Sequence, residues 1–116
     1  MSLQAHIDLH DAKSLPPTLG RTAYRVVQEG LTNARKHAPG EPVRVGLTFT
    51  ARALEVLVVN ALPPDSEAAG PLARSGAGYG LTGLRERAAL AGGTLTADRI
   101  PGPDGGQWRV CLRIPV

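Results

Sequence analysis

The chain has 116 residues, room for one domain with one modest core. Its single cysteine, Cys111, excludes an internal disulfide and any multi-cysteine metal site. The formal net charge is only +3, the arginines are scattered singly, and aromatics make up 3% of the chain, which leaves no stacking platform for nucleic acid.

Leu3 to His10 alternates, with Leu3, Ala5, Ile7 and Leu9 on one face and Gln4, His6, Asp8 and His10 on the other. That is the pattern of a half-buried strand. His6 and His10 share a face but sit too far apart along a strand to hold one zinc, and no third ligand accompanies them. After Pro16-Pro17, Thr18 is placed to cap a helix running to about Ala38. At 100° per residue, Ala23, Tyr24, Val27, Leu31, Ala34 and Ala38 form one stripe, the expected core face. Glu29, Asn33 and His37 form a separate polar line, and Pro39-Gly40 ends the helix.

Val43 to Phe49 alternates again, and Leu54 to Val59 follows a short turn, so the two are expected to pair as an antiparallel hairpin. The second is apolar on both faces, as a central strand is, and Asn60 continues the face of Leu54, Val56 and Val58. Prolines, glycines and small residues then fill Ala61 to Ala77. In a compact domain a stretch of that length is expected to be a functional lid or disordered. It leads into Ser75 to Gly93, where Gly76, Gly78 and Gly80 precede a second helix expected from Leu81 to Ala91. Glycines let backbone N–H groups approach an anion, and a helix N-terminus adds unpaired donors, so this stretch predicts phosphate binding. Thr94 to Asp98 and Gln107 to Ile114 read as two last strands, the second with Trp108, Val110, Leu112 and Ile114 inward.

The order strand, helix, two strands, lid, helix, two strands predicts one α/β domain over residues 1–116. Its form is a two-layer α/β sandwich: a mixed, mostly antiparallel sheet with both helices on one face. Gly78 to Gly83 also matches the dinucleotide fingerprint G-x-G-x-x-G, with Asp98 about 20 residues on. That fingerprint requires a strand immediately before the glycines, and Pro71 to Ala77 is none.

Gln28 to Ala38 (QEGLTNARKHA) followed by Gly76 to Leu95 (GAGYGLTGLRERAALAGGTL) resembles the ATP-binding domain of two-component sensor histidine kinases, within the Bergerat-fold ATPases. The similarity is greatest to the subgroup that phosphorylates NarL-type response regulators, and it extends to the terminal strand WRVCLRIPV. The resemblance implies a protein-histidine kinase catalytic domain that binds ATP and Mg²⁺. Asn33 would coordinate Mg²⁺ through its side-chain oxygen, Glu29 would hold a metal-bound water or polarise the attacking group, and Lys36 and His37 would contact phosphates or ribose. Gly76, Gly78 and Gly80 would form the lid hinge, and Leu81 would pack beneath the nucleotide. Arg85 and Arg87 would be phosphate contacts or helix-surface charges, and the second reading is preferred.

The family usually carries a D-x-G-x-G box whose Asp accepts a hydrogen bond from the adenine amino group; here Asn60-Ala61-Leu62-Pro63-Pro64 stands there. An Asn keeps a carbonyl acceptor but loses the charge. The implied partners are a dimerisation and phosphoacceptor domain of the same homodimeric kinase and a NarL-type regulator, with no nucleic acid and no membrane contact. The chain is accordingly expected to be a C-terminal fragment that binds ATP but does not complete the phosphorelay alone, in the cytoplasm, whether or not the full-length protein is membrane-anchored. The rival readings are an anti-sigma-factor serine kinase, an ATPase module of a chaperone or topoisomerase, and a degenerate non-catalytic signalling module.

Overall fold

A computed structural model describes residues 3–9, 15–62, 77–103 and 105–116. In chain order the elements are β1 (Leu3–Leu9), α1 (Pro17–His37), β2 (Val43–Phe49), β3 (Ala53–Ala61), α2 (Ala77–Leu90), β4 (Thr94–Ile100) and β5 (Gln107–Pro115). The strands form one sheet in the order β1-β2-β3-β5-β4. β1 runs parallel to β2, and the other three pairings are antiparallel. The helices touch each other as well as the sheet, so both lie on one face of it. This is the two-layer α/β sandwich that the order of elements predicted, with β3 at its centre. Among the described residues no helix is long and apolar enough to cross a membrane.

The core lies between the layers. Val43, Val45 and Phe49 of β2, Leu54, Val56 and Val58 of β3, and Val110, Leu112 and Ile114 of β5 meet Ala23, Val26 and Ala34 of α1 and Leu81, Leu84 and Ala88 of α2. α1 lies chiefly over β3, and α2 over β4 and β5. Helix α1 comes close against the sheet at Gly30, where an added Cβ would stand 2.8 Å from Val58 Cγ1. A side chain there would hold α1 off the sheet. After α2 the chain turns at Gly92, with φ of 82°, and Gly93 passes against the Arg113 carbonyl.

Four expectations need correction. Thr18 does not cap α1: the helix begins at Pro17, its N-cap is Pro16, and no side chain among the described residues caps it. Proline suits that place because it has no N–H to leave unpaired. Of the expected face, Ala23, Ala34 and Ala38 are buried and Val27 and Leu31 pack half-buried against the core, but the buried stripe of α1, Thr22, Ala23, Val26, Gly30, Asn33 and Ala34, is centred roughly 90° away from it at 100° per residue. Tyr24, expected inward, is 66% exposed, and Asn33 is only 2% exposed.

β1 is not half-buried either, since Leu3 is 53% and Ile7 64% exposed. It occupies the outer edge of the sheet, and the helices lie over the strands beyond it. Finally, α2 begins at Ala77, four residues earlier than expected.

Candidate functional site

The topology gathers the sequence-predicted residues at one end of the sandwich. α1 ends at His37, and a turn at Gly40 (φ 83°) delivers the chain to Val43 at the start of β2. Val43 pairs with Asn60 near the end of β3, and Asn60 pairs with Trp108 near the start of β5. The C-terminal half of α1 therefore overlies the end of the sheet that carries Asn60 and Trp108. Leu81, 4% exposed, joins the same cluster as Ala34, Ala38, Leu62 and Trp108 and brings the first half of α2 to it.

Asn33 is the most unusual residue of this region. Both its Oδ1 and its Nδ2 are enclosed, and neither has a hydrogen-bond partner among the described residues. Leaving a buried amide unpaired costs about 1–3 kcal/mol, so folds avoid it unless a ligand or ion completes the group. Glu29 lies one turn earlier and is half-buried. Lys36 is exposed and His37 half-buried, both in the last turn, where cations also complement the helix dipole.

Asn60, 3% exposed, donates from Nδ2 to the Ala61 carbonyl at 3.1 Å. That bond fixes the orientation of the amide and leaves Oδ1 as its free acceptor among the described residues. The chain leaving β3 is pinned on both sides: Ala61 N–H donates to the Pro42 carbonyl at 3.1 Å, and Leu62 N–H to that of Gly106 at 3.0 Å. Leu62 is itself buried in the core.

Gly76 and most of the expected lid, residues 63–76, lie outside the described residues. Gly78 and Gly80 stand inside the first turn of α2 instead of ahead of it. The first four N–H groups of a helix have no intrahelical partner, so the donors expected of this stretch remain, now as helix N-terminal donors without Cβ atoms beside them. Arg85 and Arg87 are exposed. Arg87 lines, with Pro16, Leu19, Arg21 and Leu90, a groove of about 570 Å³ between the first turn of α1 and the last turn of α2. This groove is at the opposite end of the helix pair from Asn33, which places Arg87 away from the candidate site.

Trp108 is a residue that sequence reasoning assigned only to the core. It is 6% exposed, and its indole N–H has no partner among the described residues. The one signal in the sequence was a residue with a polar atom to satisfy at the end of an otherwise aliphatic inward face; that it lies directly across from Asn60 is seen only in the structure.

A mixed sheet ordered β1-β2-β3-β5-β4 beneath two helices, with an unpartnered amide on the first helix above the sheet end, has the layout of a nucleotide-binding ATPase domain of the Bergerat type. Residues 19–116 match the family described as histidine kinase-, DNA gyrase B-, and HSP90-like ATPase, and the chain belongs to that family.

It is 36% identical over 115 residues to the sensor histidine kinase YxjM of Bacillus subtilis, covering 96% of this chain and 26% of that protein. It is 38% identical over 96 residues to the signal transduction histidine-protein kinase/phosphatase UhpB of Salmonella typhimurium, covering 79% of this chain and 18% of that protein. The chain thus spans about a quarter or less of the curated relatives it matches. The fold is shared with the catalytic domain of histidine kinase ThkA, at a TM-score of 0.64 and 15% identity over 97% of this chain and 78% of that one. Together these make the chain a catalytic, ATP-binding domain of the two-component sensor histidine kinase type.

Proposed function

We propose that in its full-length protein this domain binds Mg-ATP and supplies the γ-phosphoryl group to a histidine on a separate dimerisation and phosphoacceptor domain of the same homodimeric kinase. The phosphoryl group then passes to an aspartate of a NarL-type response regulator. The observation that carries the reading is the buried, unpartnered amide of Asn33. A neutral carbonyl oxygen is a suitable ligand for Mg²⁺, which takes few protein ligands and completes its shell with waters and substrate phosphates.

When bound, Mg²⁺ would neutralise charge on the phosphates. The chain's own residues have the remaining work of positioning. Asn33 would provide the ligand oxygen, and Glu29, one turn before it, would orient a water or polarise the attacking imidazole. Lys36 and His37 would meet phosphates or ribose. The N–H groups at the start of α2, where Gly78 and Gly80 leave the backbone bare, would receive the phosphate oxygens, as would Gly76 just before them. Leu81 would form the apolar bed beneath the nucleotide, and Asn60 Oδ1 would accept from the adenine amino group. With the phosphoacceptor on another domain, this domain alone carries out binding and presentation of the phosphoryl group rather than the full relay.

The test is calorimetric titration with a non-hydrolysable ATP analogue, with and without Mg²⁺, on the parent chain and on Asn33→Ala. Binding that is strengthened by Mg²⁺ in the parent, and no longer so in Asn33→Ala, is the expected result. A parent that binds no nucleotide would sink the reading in favour of a non-catalytic module.

A further inference from the structure

Resting on the nucleotide-binding reading, we propose that Trp108 reads the base: its indole N–H donates to a ring nitrogen of adenine, beside the amino group that Asn60 accepts.

The register is the first ground. Asn60 of β3 and Trp108 of β5 are direct cross-strand partners, and such partners carry their Cβ atoms about 4.5–5.5 Å apart on one face. That face is the inner one, because each residue extends a buried alternation: Val56, Val58, Asn60 on one strand and Leu112, Val110, Trp108 on the other.

The second ground is the indole N–H itself. A buried tryptophan normally finds an acceptor for its one donor, and here it has none among the described residues. Phenylalanine or leucine would fill the same core space without an orphaned donor, so packing alone does not account for this side chain. Among the described residues, two buried side chains thus carry orphaned groups at this end of the sandwich, Trp108 and Asn33. The proposed function uses only the second.

The third ground is complementarity. Asn60 has its Nδ2 committed to the Ala61 carbonyl, so it presents an acceptor, and Trp108 presents a donor. Adenine offers a matching pair, its amino group as donor with ring nitrogens as acceptors to either side. Guanine places an O6 acceptor where adenine has the amino group, so two acceptors would face each other at Asn60. The pair therefore selects adenine without the carboxylate that the family usually places here. The indole N–H is enclosed in this structure, so the base reaches it through a local separation of the helix and sheet layers.

Trp108 is the only tryptophan of the chain, which gives the test a direct optical reading. The chain and its Trp108→Phe variant, which keeps an aromatic ring but has no N–H, would be titrated with ADP, GDP, 1-deaza-ADP and 7-deaza-ADP by calorimetry and by tryptophan emission. ADP should perturb the emission of the parent. Trp108→Phe should lose affinity for ADP by about tenfold, the size of one hydrogen bond to a buried donor, and its preference for ADP over GDP should narrow. One of the two deaza analogues should show the same loss on the parent and no further loss on the variant.

Unchanged ADP affinity in Trp108→Phe would overturn the proposal while leaving the kinase reading intact. If that variant does not fold, the parent still decides: equal affinity for ADP and both deaza analogues would overturn it. A parent that binds none of the nucleotides removes both this proposal and the function it rests on.

Discussion

Gly30→Ala measures how closely α1 is seated on the sheet. The alanine Cβ would lie 2.8 Å from Val58 Cγ1, 2.9 Å from Val58 Cβ and 3.0 Å from Val58 Cγ2, whereas non-bonded carbons rest ~3.5–4.0 Å apart. One of the three atoms is the Cβ itself, so no rotamer of Val58 relieves the contact. Helix and strand must part locally by about 1 Å to restore normal contact. Overpacking of this kind costs ~1–3 kcal/mol, and replacing a helix-interior glycine by alanine returns ~1 kcal/mol. The expected outcome is a net loss of about 1 kcal/mol, where the same change on an exposed helix face would stabilise.

Asn33 follows Gly30 by three residues on the same buried stripe and has to move with it. Mg²⁺-dependent affinity for an ATP analogue should therefore fall as well. Urea unfolding followed by circular dichroism gives the first quantity and calorimetry the second. A Gly30→Ala chain that unfolds at higher urea than the parent would refute the steric argument, because helix propensity would then be acting unopposed.

Three further outcomes follow from the structure. Gly93→Ala should destabilise more than Gly30→Ala in the same urea assay, because its Cβ would meet the Arg113 carbonyl and Ile114 Cα, backbone atoms that cannot rotate away. Asn33→Ala should stay within about 1 kcal/mol of the parent in thermal unfolding even as Mg²⁺-dependent binding is lost, since the packing it gives up is offset by removal of an unpaired buried amide. A loss above ~3 kcal/mol would mean that the amide is bonded within the fold. Burial raises the Cys111 pKa above that of a free thiol, so less thiolate is present at any given pH. Iodoacetamide should alkylate the native chain on the order of tenfold more slowly than the urea-unfolded chain at neutral pH, and equal rates would contradict this.

The strands were legible because their alternation is strong. β2, β3 and β5 each show inward residues at every second position, and the doubly apolar β3 announced its central place. The helix faces were less so. Tyr24 and Leu31 are the bulkiest apolar residues in the middle of α1 and drew the expected core face toward themselves, whereas the stripe that is buried contains Gly30 and Asn33. Close seating demands the absence of a side chain at Gly30, and the site demands a polar group at Asn33; neither registers as hydrophobicity.

β1 failed for a different reason. Alternation says which residues share a face, and it does not say whether anything covers that face. Trp108 was hidden by its neighbours, since a residue among Val110, Leu112 and Ile114 reads as core until its unsatisfied N–H is seen. The polar residues of the site were legible only jointly, when Asn33, Asn60 and the α2 glycines were read as parts of one pattern.

Leu3 to Asp8 are all exposed, so β1 adds little to the cohesion of the domain, yet it covers something that needs covering. Its parallel hydrogen bonds run the full length of β2 from Val43 to Phe49, a β-prone segment whose backbone would otherwise be the outermost rail of the sheet. Bare edges of that kind recruit strands from other molecules. β1 moves the open rail outward onto a strand that alternates with Gln4, His6 and Asp8. Deleting it should leave a chain that still folds and still carries its core, but that self-associates through β2 as its concentration rises.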